Sequence, residues 1–135
     1  MLRVVAISVV GRTPLGGGSS SRRQWRDALR QAAIAVAPDP REVPERAPVS
    51  VDVIFRIAEP RFASSDLDNL VKPVLDTLFR SRDEQLDPTL TATLLPVDDA
   101  AINRLVVEKQ QAEGTDDEGV TVEVRWEDGR PEGPS

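Results

Sequence analysis

The sequence predicts an α+β domain in which a mixed β-sheet is covered by two helices. Three observations predict this class: segments rich in β-branched residues, two segments with apolar residues at helical spacing, and the alternation of these segments along the chain. The predicted order is strand, helix, strand, helix, strand, strand. At 135 residues, the chain is expected to form one domain over residues 1–127, followed by a disordered tail over 128–135.

The first half of the chain supplies three of these elements. Residues 4–10 are rich in β-branched side chains, which favours a strand. Ser21 is placed to cap a helix over residues 22–36, and the apolar positions of this helix predict a core face. That face would hold Trp25, Leu29, Ala32, Ala33 and Val36. Prolines 38, 40, 44 and 48 then predict an exposed connection without regular structure. Apolar and polar side chains alternate over residues 49–57, with Asp52 and Arg56 on the polar face, which is typical of a strand with one buried face.

The second half supplies the remaining elements. An apolar helix is predicted to end near Phe79, and residues 81–96 are polar and predict a loop. The apolar positions of this helix predict a core face made of Leu67, Leu70, Val71, Val74, Leu75 and Leu78. Two further strands are predicted over 101–109 and 120–126, joined by an acidic turn at 114–119. No segment is long and apolar enough for a membrane span, and the N-terminal apolar run lacks the flanks of a signal peptide, so a cytoplasmic protein without a membrane partner is expected.

The composition excludes several classes of enzyme. The chain contains no cysteine and no histidine. Disulfides, thiolate metal sites, histidine-ligated zinc and the Ser-His-Asp and Cys-His nucleophiles are therefore excluded. An enzyme with this composition must work with carboxylates, lysine, hydroxyl groups or a bound metal.

The charge is unevenly distributed along the chain. The net charge is −6, yet the first thirty residues hold six arginines against one acidic residue, Asp27. Arg22, Arg23 and Arg26 are therefore candidates for contacts with a phosphate backbone. A solvated arginine face on the first helix explains the same residues equally well, and both interpretations remain open.

Two aspartates, Asp66 and Asp68, are the candidate metal ligands. If the chain is extended there, both carboxylates project from one face, and a hard divalent cation would relieve their repulsion. The competing interpretation is structural, because aspartates at a helix start accept backbone N–H bonds and complement the helix dipole. Lys72, four residues after Asp68, would reach a phosphate or the attacking water, and Asn69 adds an amide beside it. Asp76 continues the same face or pairs with Lys72.

Pro73 and a second acidic pair complete the candidate site. Pro73 removes a backbone N–H, so we expect an irregular entry from Asp66 and a regular helix from about Lys72. Farther along, Asp98 and Asp99 precede a predicted strand. Taken alone, this pair is typical of a solvated turn. Together with the first pair, it becomes a candidate source of a third carboxylate.

These motifs resemble the RusA family of Holliday-junction resolvases. The resemblance rests on the segment from Asp66 to Lys72, on Leu75-Asp76-Thr77-Leu78, on Asp98-Asp99 with Ile102, and on Lys109. It implies that Asp66, Asp68 and Asp99 hold Mg²⁺, for which Mn²⁺ could substitute, and that Lys72 is the catalytic lysine. Asp98, Asn69 and Asp76 are further candidates, and Lys109 would join the arginines as a DNA contact.

The resemblance also implies a function. A homodimer would use Mg²⁺ to cut two strands of a four-way DNA junction symmetrically, in DNA recombination or repair, without a small-molecule cofactor. Two alternatives remain open. One is the same metal site acting on another branched or single-stranded DNA, and the other is an inactive nucleic-acid-binding or regulatory protein that keeps the family core.

Overall fold

A four-stranded mixed sheet forms the centre of the molecule. The computed structural model describes residues 2–11, 19–43, 48–80 and 94–127. The sheet has the order β1-β6-β2-β5, in which β2 and β5 are parallel and the other neighbours are antiparallel. Its strands are β1 (Leu2–Val10), β2 (Val49–Ala58), β5 (Ile102–Ala112) and β6 (Gly119–Glu127). The predicted α+β class with a mixed sheet is confirmed.

Three helices and a small second sheet accompany these strands. The helices are α1 (Ser19–Val36), the short α2 (Arg61–Ser64) and α3 (Leu67–Leu78). The strands β3 (Phe79–Arg80) and β4 (Leu95–Asp98) pair in parallel as a separate two-stranded sheet. The predicted loop over 81–96 is therefore wrong at its end, where β4 begins, and most of that segment lies outside the described residues.

The core lies on one face of the sheet. Along β2, every second side chain is fully buried and the intervening ones are half-buried, as the sequence pattern predicts. The buried members are Val49, Val51, Val53, Phe55 and Ile57. Helix α1 packs against β1, and the two long helices contact each other. Each buried aliphatic or aromatic side chain contributes about 1.5–3 kcal/mol, so this covered face is the main source of stability.

The structure corrects three details of the predicted first half. Helix α1 begins at Ser19, so Ser21 lies inside the helix and not at its N-cap. Helix α1 presents Trp25, Leu29 and Ala33 to the core as predicted, but Val36, at its end, is 43% exposed. The proline-rich connection is not wholly irregular, because Pro40–Glu42 forms a 3₁₀ turn. Val43 after it is buried, and the Trp126 indole N–H donates to the carbonyl of Glu42 at 3.3 Å. The predicted disordered tail over 128–135 lies outside the described residues.

Within the described residues, no helix has the length and apolar character needed to cross a membrane.

Candidate functional site

The two candidate aspartates lie at the start of α3. Asp66 immediately precedes the helix with extended backbone (φ −91°, ψ 131°), and its carbonyl accepts a hydrogen bond from the N–H of Leu70 at 3.1 Å. Asp68 lies in the first helical turn. The expected irregular entry is therefore wrong, because helical backbone begins at Leu67 and continues through Pro73.

Pro73 is accommodated inside α3. It has no N–H to donate, so the carbonyl of Asn69 loses its usual helical donor. The carbonyl of Pro73 itself accepts the Thr77 hydroxyl at 2.7 Å. The proline thus removes the usual donor to a backbone oxygen that lies within one turn of the two aspartates.

Neither aspartate is used to cap the helix. Asp66 occupies the N-cap position, yet its carboxylate makes no cap hydrogen bond. Within the described part of the chain, neither Asp66 nor Asp68 has an ion pair or a side-chain hydrogen bond, and both side chains are exposed. Their charges are favourable beside the positive end of the helix dipole. The structural interpretation through backbone capping therefore receives no support at Asp66.

The polar face of α3 continues this exposed acidic start. Asn69, Lys72 and Asp76 are all exposed, and the four-residue spacing aligns Asp68, Lys72 and Asp76 along one side of the helix. Among the described contacts, Lys72 has no ion pair with either aspartate, so its ammonium is available to a ligand. The opposite side is buried through Leu70, Val71, Val74 and Leu78, whereas Leu67, which the sequence placed in the core, is 36% exposed.

Lys109 holds the segment that leads into Asp66. Its ammonium donates to the carbonyls of Phe62 at 2.7 Å and Ser65 at 2.8 Å, and it lies 5.1 Å from the centre of the Phe62 ring. These contacts join β5 to the turn between α2 and α3. The ammonium predicted to contact DNA is thus bonded to the protein, and a phosphate contact would require it to exchange these bonds. Its observed role is to position the backbone at Asp66.

Glu118 binds the chain just before this turn, between the end of β2 and the start of α2. Its side chain is buried, and its carboxylate accepts the backbone N–H of Ala58 at 3.0 Å and a hydrogen bond from the guanidinium of Arg61. The end of β2 and the start of α2 are therefore held by one carboxylate. The sequence missed this role, because Glu118 follows two other acidic residues in what is otherwise an exposed turn.

The second acidic pair lies at the other end of α3. The backbone of Asp98 pairs with that of Arg80 in the β3–β4 sheet, past the C-terminal end of the helix, and Asp99 begins a 3₁₀ turn. Asp66 thus lies at the start of α3 and the backbone of Asp98 lies past its end, and the side chains of Asp98 and Asp99 lie outside the described residues.

The basic candidates lie in the same layer as the acidic ones. Arg23 and Arg26 are exposed on α1, which packs beside α3 on the covered side of the sheet. Arg30 is half-buried and lies 3.6 Å from Asp27. Arg22 is within α1, but its side chain lies outside the described residues. Two exposed guanidinium groups and the α3 carboxylates are thus presented by neighbouring helices.

The other face of the sheet carries an ion-pair network. Asp52 accepts hydrogen bonds from Arg125 at 2.6 Å and Arg104 at 3.1 Å, and Arg125 also pairs with Glu123. The hydrogen bond from Arg125 is the main cause that holds the pKa of Asp52 below its ordinary value. The network borders a shallow cavity of about 360 Å³ on this uncovered face. Since its charges satisfy one another, it offers no unpaired group for chemistry.

The described geometry supplies two unpartnered carboxylates and an ammonium at one helix end. Carboxylate, amide and backbone oxygens are the hard donors that Mg²⁺ prefers, so this set fits that ion. Among the side chains that the structure describes, a group excluding Asp98 and Asp99, no three metal-ligating residues gather in one place. No protein-family model matches the chain, and no curated protein matches it as a relative.

Proposed function

We propose that this protein is a Mg²⁺-dependent endodeoxyribonuclease that cuts four-way DNA junctions by phosphodiester hydrolysis. The observation that carries the proposal is the exposed carboxylate pair at the start of α3, which has no capping or ion-pairing role and is followed one turn later by Lys72. The resemblance of this motif to the RusA family supplies the substrate class.

Asp66 and Asp68 are the residues that would hold the metal. Mg²⁺ commonly binds through one or two carboxylates together with substrate phosphate oxygens and water, so two protein ligands are sufficient in the presence of DNA. When bound, the ion would lower the pKa of a coordinated water and stabilise charge on the departing oxygen. Asp99 is the proposed third ligand, as the resemblance to the RusA family implies.

The remaining residues would bind and neutralise the DNA. The Lys72 ammonium, on the same face as Asp68, would donate to the phosphate as negative charge develops on it. Arg23 and Arg26 would contact the backbone of the strand beside the site and offset the net charge of −6. Lys109 and Glu118 act on the protein alone, by holding the turn from which Asp66 projects.

A cleavage assay tests this function. Purified protein is mixed with a labelled four-way junction, a fork, a duplex and a single strand, with and without Mg²⁺. We expect paired nicks in the junction that require Mg²⁺ and disappear in Asp68→Asn. Asp116→Asn is the matched control, since it removes an exposed aspartate from a turn outside the candidate site. Equal loss in both variants would contradict the assignment of Asp68.

The same assay distinguishes the alternative functions. Mg²⁺-dependent cutting of the fork or single strand, but not the junction, would move the activity to another DNA substrate. One observation favours a DNA-binding protein without nuclease activity, namely that among the described side chains no third carboxylate joins Asp66 and Asp68. Binding to the junction without cutting, under any divalent cation, would establish that alternative and refute the proposed hydrolysis.

A further inference from the structure

The free edge of β1 differs from an ordinary sheet edge. Among the described strands, β1 pairs only with β6, which leaves nine residues with an unpaired side. Natural edge strands are usually short, bulged or charged, because an unprotected edge templates pairing with another chain. β1 is long, has an uninterrupted register with β6 and carries one charged residue, Arg3, which lies 3.7 Å from Glu42.

The opposite edge, β5, carries the expected protections. Its register with β2 is irregular near its start, where Asn103 is passed over between Ile102 and Arg104. Arg104, Glu108 and Lys109 also place charges along the strand. Within the part of the chain that the structure describes, the sheet thus protects its β5 edge and leaves its β1 edge unprotected, which points to a partner for the β1 edge.

The side chains of β1 also indicate a covered edge. Leu2 is 56% exposed, Val4 51% and Val10 70%, and all three lie on the uncovered face of the sheet. With Ala6 and Ser8 between them, this row has no charge. It is therefore a poor surface for a phosphate backbone, which requires positive charge, and a good one for another apolar strand.

The hydrogen-bond pattern of β1 shows which residues could pair. The N–H of Gly11 donates to the carbonyl of Glu118, its direct partner in the β1–β6 register. Because bonding positions alternate in an antiparallel pair, Val9, Ile7, Val5 and Arg3 also face β6. The N–H and C=O groups of the even-numbered residues from Leu2 to Val10 therefore point outward, toward the free edge.

We propose that the free edge of β1 pairs antiparallel with β1 of a second copy of this chain, with Ala6 on the two-fold axis. This register places Leu2 beside Val10 of the partner subunit and uses the full strand. It makes five bonding pairs, each with two backbone hydrogen bonds. A two-fold pairing of identical strands closes on itself, so the assembly stops at a dimer with one eight-stranded sheet.

The consequence of this pairing for DNA cleavage rests on the proposed function, because it concerns where the dimer places the two proposed metal sites. The two-fold axis is perpendicular to the sheet, so both helical layers, with both copies of Asp66 and Asp68, lie on the same side. Asp66 lies near β5, the strand farthest from the axis, and seven strand spacings give about 34 Å between the two β5 strands. The exposed arginines of α1, which packs on β1, would lie between the two sites.

Cross-linking of single-cysteine variants tests the register. The chain has no cysteine, so Ala6→Cys introduces the only thiol. In the proposed pair, the two Ala6 Cα atoms are about 5.5 Å apart, within disulfide range. Ser8→Cys is the matched control, because it lies on the same face but about 14 Å from its symmetry mate, given about 3.4 Å per residue. Rapid disulfide formation is expected only for Ala6→Cys, and equal or faster cross-linking of Ser8→Cys would overturn the pairing.

The oligomeric state of Ala6→Pro gives an independent test. The N–H of Ala6 points away from β6, so proline leaves the β1–β6 ladder intact but blocks the free edge. Sedimentation should show a dimer for the original protein and a folded monomer for Ala6→Pro. A monomeric original protein, or a folded Ala6→Pro dimer, would overturn the proposal. If Ala6→Pro fails to fold, the cysteine pair decides.

The junction assay separates this inference from the proposed function. A dimer with the expected cross-link that cuts no DNA would refute the nuclease and leave the interface standing. Mg²⁺-dependent cutting by an original protein that sediments only as a monomer would support the nuclease and refute the interface.

Discussion

Substitution of Lys109 by methionine should lower both stability and metal affinity. Methionine has a similar length but cannot donate, so the carbonyls of Phe62 and Ser65 would lose their donor. Hydrogen bonds to a charged group contribute about 1.5–3 kcal/mol each. Two such bonds would contribute about 3–6 kcal/mol. Because solvent reaches this half-buried side chain, we discount the loss for screening to about 2–3 kcal/mol.

Thermal and chemical denaturation measure this loss. At about 2.1 cal/mol/K per residue, a 135-residue chain should lose roughly 7–10 °C in Tm. The turn before Asp66 would also lose its attachment to β5, so the Mg²⁺ concentration needed for half-maximal cleavage should rise. A Tm within about 2 °C of the original protein would refute the role that we assign to Lys109.

Lys72 provides the matched control, because it is the only other lysine in the chain. It is exposed and has no partner among the described contacts, so Lys72→Met should change the free energy of unfolding by less than about 0.5 kcal/mol. It should nevertheless abolish cleavage if Lys72 neutralises the phosphate. A large loss of stability in Lys72→Met, together with unchanged stability in Lys109→Met, would refute the structural role of Lys109 and the catalytic role of Lys72.

Three further predictions concern the metal, the buried carboxylate and the ion-pair network. Millimolar Mg²⁺ should raise the Tm of the original protein but not that of Asp66→Asn, and an equal rise in both would exclude this residue as a ligand. Glu118→Gln should cost about 2–4 kcal/mol in urea denaturation, because the guanidinium of Arg61 loses its buried anionic partner; a change under 0.5 kcal/mol would contradict this. Asp52→Asn should cost about 1 kcal/mol near neutral pH, where the carboxylate is ionised. Because the folded pKa of Asp52 lies below its ordinary value of 3.8, this difference should persist above that pH and vanish as the pH falls through the folded pKa; a difference unchanged down to pH 2 would be inconsistent with ionic pairing.

Local patterns in the sequence were enough to predict the main elements. The two-residue alternation in β2 and the helical spacing in α1 report directly which side of each element is buried, because burial repeats with the period of the backbone. The predictions failed mainly where such periodicity gives no information. Val36 and Leu67 have the right spacing for a core face, but each lies at the end of a helix and is exposed.

The entry into α3 shows a different kind of failure. Pro73 was expected to delay the regular helix to about Lys72, yet the helix begins at Leu67. The buried side chains of Leu70, Val71 and Val74 span the proline on both sides. Packing of this apolar face against the core outweighs the loss of one helical hydrogen bond. The low helix propensity of proline, on which the prediction was based, does not include this packing free energy.

The sequence by itself determined the chemistry available to this protein. The absence of histidine and cysteine restricts it to oxygen ligands and basic side chains, and the order from Asp66 to Lys72 places carboxylates and an ammonium within two turns of one helix. Only the tertiary structure decided what these groups meet. It joins Lys109 to the turn before Asp66, joins Glu118 to Arg61, and pairs the backbone of Asp98 with that of Arg80 after α3. The physical reason is that these contacts depend on the order of strands in the sheet, and local periodicity specifies burial but not neighbours.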